Sequence, residues 1–198
     1  LGAASAGTQT ITNNNTLAIA DGSGGLASNY TLSGATINVT IIPRTLNVSL
    51  SREYDGTTSV SGVSLTPTFD SLQGGETLSL SGTGSVSTAN VGSSKAVSLG
   101  SIALAAGSGN PSNYSLNSAT MNVTQRVINL DGIRAYDATT NVLSSDINTF
   151  GNIVSGETLT ISGTGSVGSN SVAMNKAVTL GSLSLGNGSG LASNYTSV

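Results

Sequence analysis

The residues of this chain that are able to do chemistry are few, and they recur. "REYDGTT" at 52–58 returns as "RAYDATT" at 134–140, so an Arg, a Tyr and an Asp come together twice in the same order. An arginine beside a carboxylate and a phenol can bind an anion, polarise a hydroxyl or brace a turn. The rest of the inventory narrows the choice. Cysteine and histidine are both absent, which removes thiol nucleophiles, zinc sites and the commonest general base together. No nucleophile is paired with a base. The expectation is a chain that is not an enzyme, with no catalytic residues, no metal site and no cofactor.

All six basic residues repeat at a spacing of 81 or 82 residues: Arg44 with Arg126, Arg52 with Arg134, and Lys95 with Lys176. Among the acids, Asp55 repeats as Asp137 and Glu76 as Glu157, whereas Asp21, Glu53, Asp70, Asp131 and Asp146 do not. Isolated buried charges are costly and paired ones fix geometry. The repeated set is therefore expected to pair within or between repeats and to hold strand register. Lys95, Glu76 and Asp55 are also residue types that form spontaneous isopeptide bonds, where an acid in an apolar setting assists attack by a neutral lysine.

The aromatic residues repeat as well: Tyr54 and Tyr136 in the clusters above, and Tyr30, Tyr114 and Tyr195 each after "SN". The triplet Asn-x-Ser/Thr recurs with them, giving glycosylation candidates at Asn29, Asn113 and Asn194 before Tyr, and at Asn38 and Asn122 before Val. A chain rich in Asn, Ser and Thr also makes such triplets by composition alone. "ADGSGG" at 20–25 has the look of a calcium loop, but Asp21 becomes Ala106 and Asn187 in the other copies, so it reads as a glycine turn. The Gly-rich "SGTGSV" lies inside a strand pattern with no helix after it, which is a poor phosphate cradle.

These residues sit on a repeated framework. "GGETLSLSGTGSV" (74–86) returns at 155–167, "KAVSLGSIAL" (95–104) at 176–185, and "SNYS" (112–115) at 193–196. The division expected is 1–43 as the carboxy-terminal part of an incomplete repeat, 44–125 as a complete repeat, and 126–198 as a second one that stops before its last strand. Leu46, Val48 and Leu50 alternate on one face, as do Leu78 and Leu80, which is the period of a β-strand. No segment keeps a helical period, and the best helical candidate is a short turn around Phe69–Leu72 that recurs at Phe150–Ile153. In "YSLNSATMNV" the apolar parity changes between Leu116 and Met121, which places a bulge near Asn117 and Ser118. At each junction odd positions (Met121, Val123) give way to even ones (Ile128, Leu130) with no flexible linker between. One extended segment is thus expected to serve two neighbouring modules. The fold class expected is all-β: tandem β-sandwich-like or β-grasp-like modules of about 80 residues arranged as a rod.

Taken in order, "YDGTT", "GGETLSLSGTGSV", "NVGSSKAVSL" and "SNYSL" resemble the YDG-type repeat of very large bacterial surface adhesins of the filamentous-haemagglutinin, two-partner-secretion kind. The second copy departs from it with "YDATT" and "SVAMNKAV". The resemblance implies a secreted module at the bacterial cell surface or in an extracellular fibre, serving adhesion or biofilm cohesion.

Composition bounds the partners. Charged residues make up 8% of the chain, against about a quarter in an ordinary soluble domain, and the net charge is −3 with no basic run. That balance disfavours nucleic acid, and no apolar stretch approaches the roughly 18 residues of a membrane span. The expected partners are neighbouring repeats of the same chain, a host or matrix glycan, and further copies joined head to tail, with residues 30–43 of one docking against 134–198 of the next. The alternative to a stalk is a module binding glycan or ice through rows such as "TQTITNNNT" (8–16), although aromatic residues for sugar stacking amount to 4%.

Overall fold

The computed structural model describes residues 5–11, 17–32 and 37–197, so residues 1–4, residues 12–16 of the Thr/Asn run, residues 33–36 and Val198 lie outside the described residues. The fold is all-β. In the first module the strands Ser59–Ser61, Thr83–Val86, Gly92–Ser98, Tyr114–Thr124, Arg44–Glu53 and Thr68–Phe69 form one mixed sheet in that spatial order. Its first and last strands in sequence run parallel and side by side, with Leu46 opposite Leu116 and Leu50 opposite Met121. A separate antiparallel ladder pairs Leu78–Ser81 with Ala103–Ala106. It places Leu78 and Leu104 against Leu46 and Tyr114.

The alternation seen in the sequence is the burial pattern of these strands. Leu46, Val48 and Leu50 are buried while Asn47 and Ser49 face solvent. The parity change in Tyr114–Thr124 is a register shift between Leu116 and Ser118. Asn47 holds the extra residue: its Oδ1 accepts from Asn117 Nδ2 at 2.9 Å and from Ser118 Oγ at 2.8 Å. Gly82 explains "SGTG" in the same local way. It has φ of 75°, and a Cβ there would stand 2.0 Å from the carbonyl oxygen of Ser101. This glycine lets the chain at Gly82 pass in close contact with the backbone of Ser101.

The helical turn expected around Phe69–Leu72 and Phe150–Ile153 is not there. Phe69 ends the strand Thr68–Phe69, and Phe150 lies within the strand Ile147–Gly151, each beside its module's first strand. The short 3₁₀ turns fall instead at Ala27–Asn29, Pro111–Asn113, Ser144–Asp146 and Ala192–Asn194. At Pro111–Asn113 the reason is legible: the Asn110 side chain accepts from Ser112 N at 3.1 Å and Pro111 occupies the first position. Three of these turns deliver the "SNY" tyrosines.

The second module repeats the layout with Arg126–Gly132 as its first strand, flanked by Ile147–Gly151 and, in parallel, by Tyr195–Ser197. Asn141–Leu143, Thr164–Val167 and Val178–Thr179 form a second group, and Leu159–Ser162 pairs with Ser184–Asn187. Only Gln125 separates Tyr114–Thr124 from Arg126–Gly132. The two faces of this segment do not feed two separate cores. Met121, Val123, Ile128, Leu159 and Tyr195 belong to one buried cluster with Val48, Leu50 and Tyr54. That continuity brings side chains of both modules together around the Tyr-Asp-Gly motif.

Candidate functional site at the junction of two modules

Tyr54 leaves the end of Arg44–Glu53 pointing at the second module. Its Oη donates to Glu157 Oε1 at 2.6 Å, and Tyr195 Oη donates to Glu157 Oε2 at 2.6 Å. The two rings meet edge to face, with centroids 5.5 Å apart and planes at 81°. One carboxylate thus gathers two buried phenols, one from each module. Val154 N donates to Tyr195 Oη at 3.2 Å and fixes the second ring further.

Polar contacts surround this centre. Asn194, 1% exposed, accepts from Val91 N at 3.0 Å and donates to Asn90 Oδ1 at 3.0 Å. Arg126 spans the joint: Nη1 donates to the Tyr54 carbonyl at 3.3 Å and lies 3.6 Å from Glu53 Oε1, while Nε and Nη2 reach Asn152 O at 2.6 Å and Oδ1 at 2.7 Å. Gly56 completes the surface. It has φ of 75°, and a Cβ on it would meet Val154 Cγ1 at 2.8 Å. Tyr54 and Gly56 of the motif are therefore docking residues for the following module.

Asp55 has a different task. It pairs with Arg52 at 3.2 Å and accepts from Thr57 N at 2.9 Å, while Arg52 also donates to the carbonyls of Ser59, at 2.5 Å, and Thr57. The second copy repeats this brace: Arg134 pairs with Asp137 at 2.9 Å and donates to the carbonyls of Thr139, at 2.6 Å, and Asn141. The Thr139 N–H, with its hydroxyl and the Arg134 charge in support, holds the Asp137 carboxyl below the usual carboxylate range. Arg44 reaches Gln73, whose amide oxygen, turned toward it, accepts at 2.6 Å.

The lysines and glutamates depart from the expected pairing. Lys95 Nζ donates to Thr88 O at 2.6 Å and Asn90 O at 2.5 Å, and Lys176 Nζ to Ser169 O and Ser171 O, both at 2.5 Å. Among the described residues no carboxylate pairs with either lysine. Loop carbonyls take the ammonium groups, and Glu76 and Glu157 take tyrosines, so neither the salt bridge nor the isopeptide arrangement is built. Burial first, then the nearby Arg52 charge, draws the Lys95 ammonium below its usual range.

The three copies of the "SNY" tyrosine show what the junction does. Tyr114, buried, donates to Glu76 and accepts from Gln73 N at 3.3 Å, as Tyr195 does with Glu157 and Val154. Asn113 accepts from Ala6 N at 2.8 Å, just as Asn194 accepts from Val91 N. Among the described residues Tyr30 meets no glutamate, and it is 68% exposed; Tyr136 is 65% exposed. The same geometry rules on the glycosylation candidates. Asn194 is enclosed and Asn113 is engaged by the preceding segment, whereas Asn29, Asn38 and Asn122 are exposed. Asn38 and Asn122 nevertheless use their side-chain oxygens, on Thr10 Oγ1 at 3.1 Å and Ser94 N at 2.7 Å.

Asp21 accepts from Ala27 N at 2.6 Å across the Gly22–Gly25 bridge, so "ADGSGG" is a closed turn. Among the described residues no cluster of acids is placed to hold a metal ion. Asn90, Asn152 and Val154 form part of the joint and carry no sequence signal, because nothing at those positions repeats in kind.

Burial, and then the Glu157 carboxylate, push the Tyr195 phenol up to about 12, and raise Tyr54 in the same direction. The folded chain holds these protons more tightly than an unfolded chain, whose phenols titrate near pH 10. The stabilisation is therefore complete below about pH 10 and is lost as pH rises through about 12. Tyrosine-resolved NMR titration should place the Tyr195 midpoint near 12 and show the junction contacts melting with it.

The fold and the site define a class: tandem all-β repeats whose paired aromatic and acidic residues join one module to the next. The chain belongs to the YDG domain family, whose model matches residues 38–121 and 122–197 in two consecutive copies. No curated protein and no solved structure matches it.

Proposed function

We propose that the chain is a structural repeat segment of a large bacterial surface adhesin or extracellular fibre, secreted and non-catalytic, whose role is to extend a stalk. One observation carries this reading: a core and a hydrogen-bonded Tyr-Glu-Tyr centre run across the joint between modules, where a flexible tether would carry neither. The charged residues add support, because Arg52 with Asp55, Arg134 with Asp137 and Arg126 with Glu53 brace turns and the joint. The two consecutive family copies fit a longer array.

A stalk must be stiff. Small-angle scattering from proteins of two, four and six such modules should give a maximum dimension that grows linearly with module number, whereas growth near the square root would indicate tethered beads. Reproducible binding of the two-module chain on a glycan array would favour the lectin reading over the stalk.

A further inference from the structure

We propose that the first module is a clamp against tension: pulling along the fibre loads its first strand, Arg44–Glu53, and its last, Tyr114–Thr124, in shear, and the bulge held by Asn47 is the latch that keeps them from sliding. The inference rests on the stalk reading, because only a chain held at both ends bears tension. Its basis is where the chain enters and leaves the ladder. The two strands run parallel and side by side, from Arg44 opposite Tyr114 to Glu53 opposite Thr124. The chain comes in at Arg44 and goes out at Thr124, so entry and exit lie at opposite ends, about 30 Å apart for a strand of ten residues. Tension on the backbone then draws Arg44 one way and Thr124 the other. The inter-strand hydrogen bonds share that load and fail together, whereas strands drawn apart from one end lose them one after another.

The surroundings of the two strands suit them to this task. They occupy the interior of the six-stranded sheet, with Gly92–Ser98 beyond one and Thr68–Phe69 beyond the other. Leu46, Val48 and Leu50 of the first and Ala119, Met121 and Val123 of the last are buried, which keeps water from that face of the ladder. Sliding by one residue would turn every side chain to the wrong face. Sliding by two keeps the faces, and there the bulge intervenes. Between Leu116 and Ser118 the last strand carries one residue more than its partner, and a bulge pins register because it fits at one place only. Asn47 closes that place: its Oδ1 accepts from Asn117 and Ser118, its Nδ2 donates to Asp70 Oδ2 at 2.7 Å, and its N–H donates to Asp70 Oδ1 at 3.0 Å. One side chain thus ties both strands to the residue that follows Thr68–Phe69. The load then passes on through Gln125, whose Nε2 donates to the carbonyls of Ser193 at 3.2 Å and Tyr195 at 3.1 Å, and the same parallel pairing starts again at Arg126 with Tyr195.

The absence of cysteine allows the full chain to be pulled from chosen points. Ile42→Cys with Thr124→Cys, both at exposed positions, loads the ladder from opposite ends, and Ile42→Cys with Ser115→Cys, also exposed, loads it from one end. In single-molecule force spectroscopy the first attachment should unfold the module at about twofold higher force than the second at the same pulling rate, since forced unfolding follows the unfolding rate. Equal forces, or a lower force for the opposite-end attachment, would overturn the proposal. Asn117→Ala with Ser118→Ala removes the latch at two exposed positions and leaves the core intact. At constant load it should speed unfolding about threefold to tenfold in the opposite-end attachment, as loss of two hydrogen bonds would. In the same-end attachment, where the latch is one rung among many, the change should stay under about twofold. No change from opposite ends, or an equal change in both attachments, contradicts the latch. Linear scattering growth of covalent arrays depends on stiffness and not on strength, so failure here leaves the stalk reading separately testable.

Discussion

Glu157→Ala is expected to lower the unfolding free energy by about 2–4 kcal/mol, because it strips the acceptor from two buried phenols at once. Tyr54 and Tyr195 each donate to one oxygen of this carboxylate, and Tyr195 is 2% exposed. Water would have to enter between the modules to replace either bond. Urea denaturation followed by tyrosine fluorescence measures the loss, and a change under about 0.5 kcal/mol would mean that the carboxylate is replaced by solvent without cost.

Met121→Ala should cost about as much, roughly 2–5 kcal/mol, by a different route. The side chain is 0% exposed and lies in the strand that leads directly into the second module. Its cavity would open in a cluster that also holds Ile128, Leu159 and Tyr195. Both modules should therefore lose stability in a single transition. If calorimetry shows the second module melting unchanged after this substitution, the core does not cross the joint.

Much of this arrangement is legible in the amino-acid sequence itself. Alternation in Leu46-Val48-Leu50 gives a strand, and the parity change before Met121 places the bulge that Asn47 holds with its amide oxygen. The repeat spacing selects the residues of the joint, Tyr54, Glu157, Tyr195 and Arg126, because scarce side chains that recur are those the module uses. What recurrence does not give is who touches whom. Glu and Lys recur together, so they look like a pair, yet each is engaged elsewhere: the Glu157 carboxylate by one phenol from each module and the Lys95 ammonium by carbonyls of its own loop. Periodicity likewise says nothing about 3₁₀ turns of three residues, which are too short to show a period. Phe69 and Phe150 look like the start of a helical turn for that reason, and both are strand residues.

The departure from the motif in the second copy has a physical reading as well. Gly56 lies against Val154 with no room for a side chain, and Ala138 keeps the same positive φ, 62°. A methyl group is tolerated by the turn itself. The constraint at Gly56 comes from the neighbouring module.

The central claim is that the Tyr-Asp-Gly motif couples one module to the next, and a double-mutant cycle between Tyr54→Phe and Glu157→Ala tests it most directly, since the two positions lie 103 residues apart and in different modules. The interaction energy should be about 1–2 kcal/mol, with the corresponding cycle between Tyr136→Phe and Glu157→Ala additive. Additivity of the Tyr54 and Glu157 substitutions to within about 0.3 kcal/mol would contradict the account.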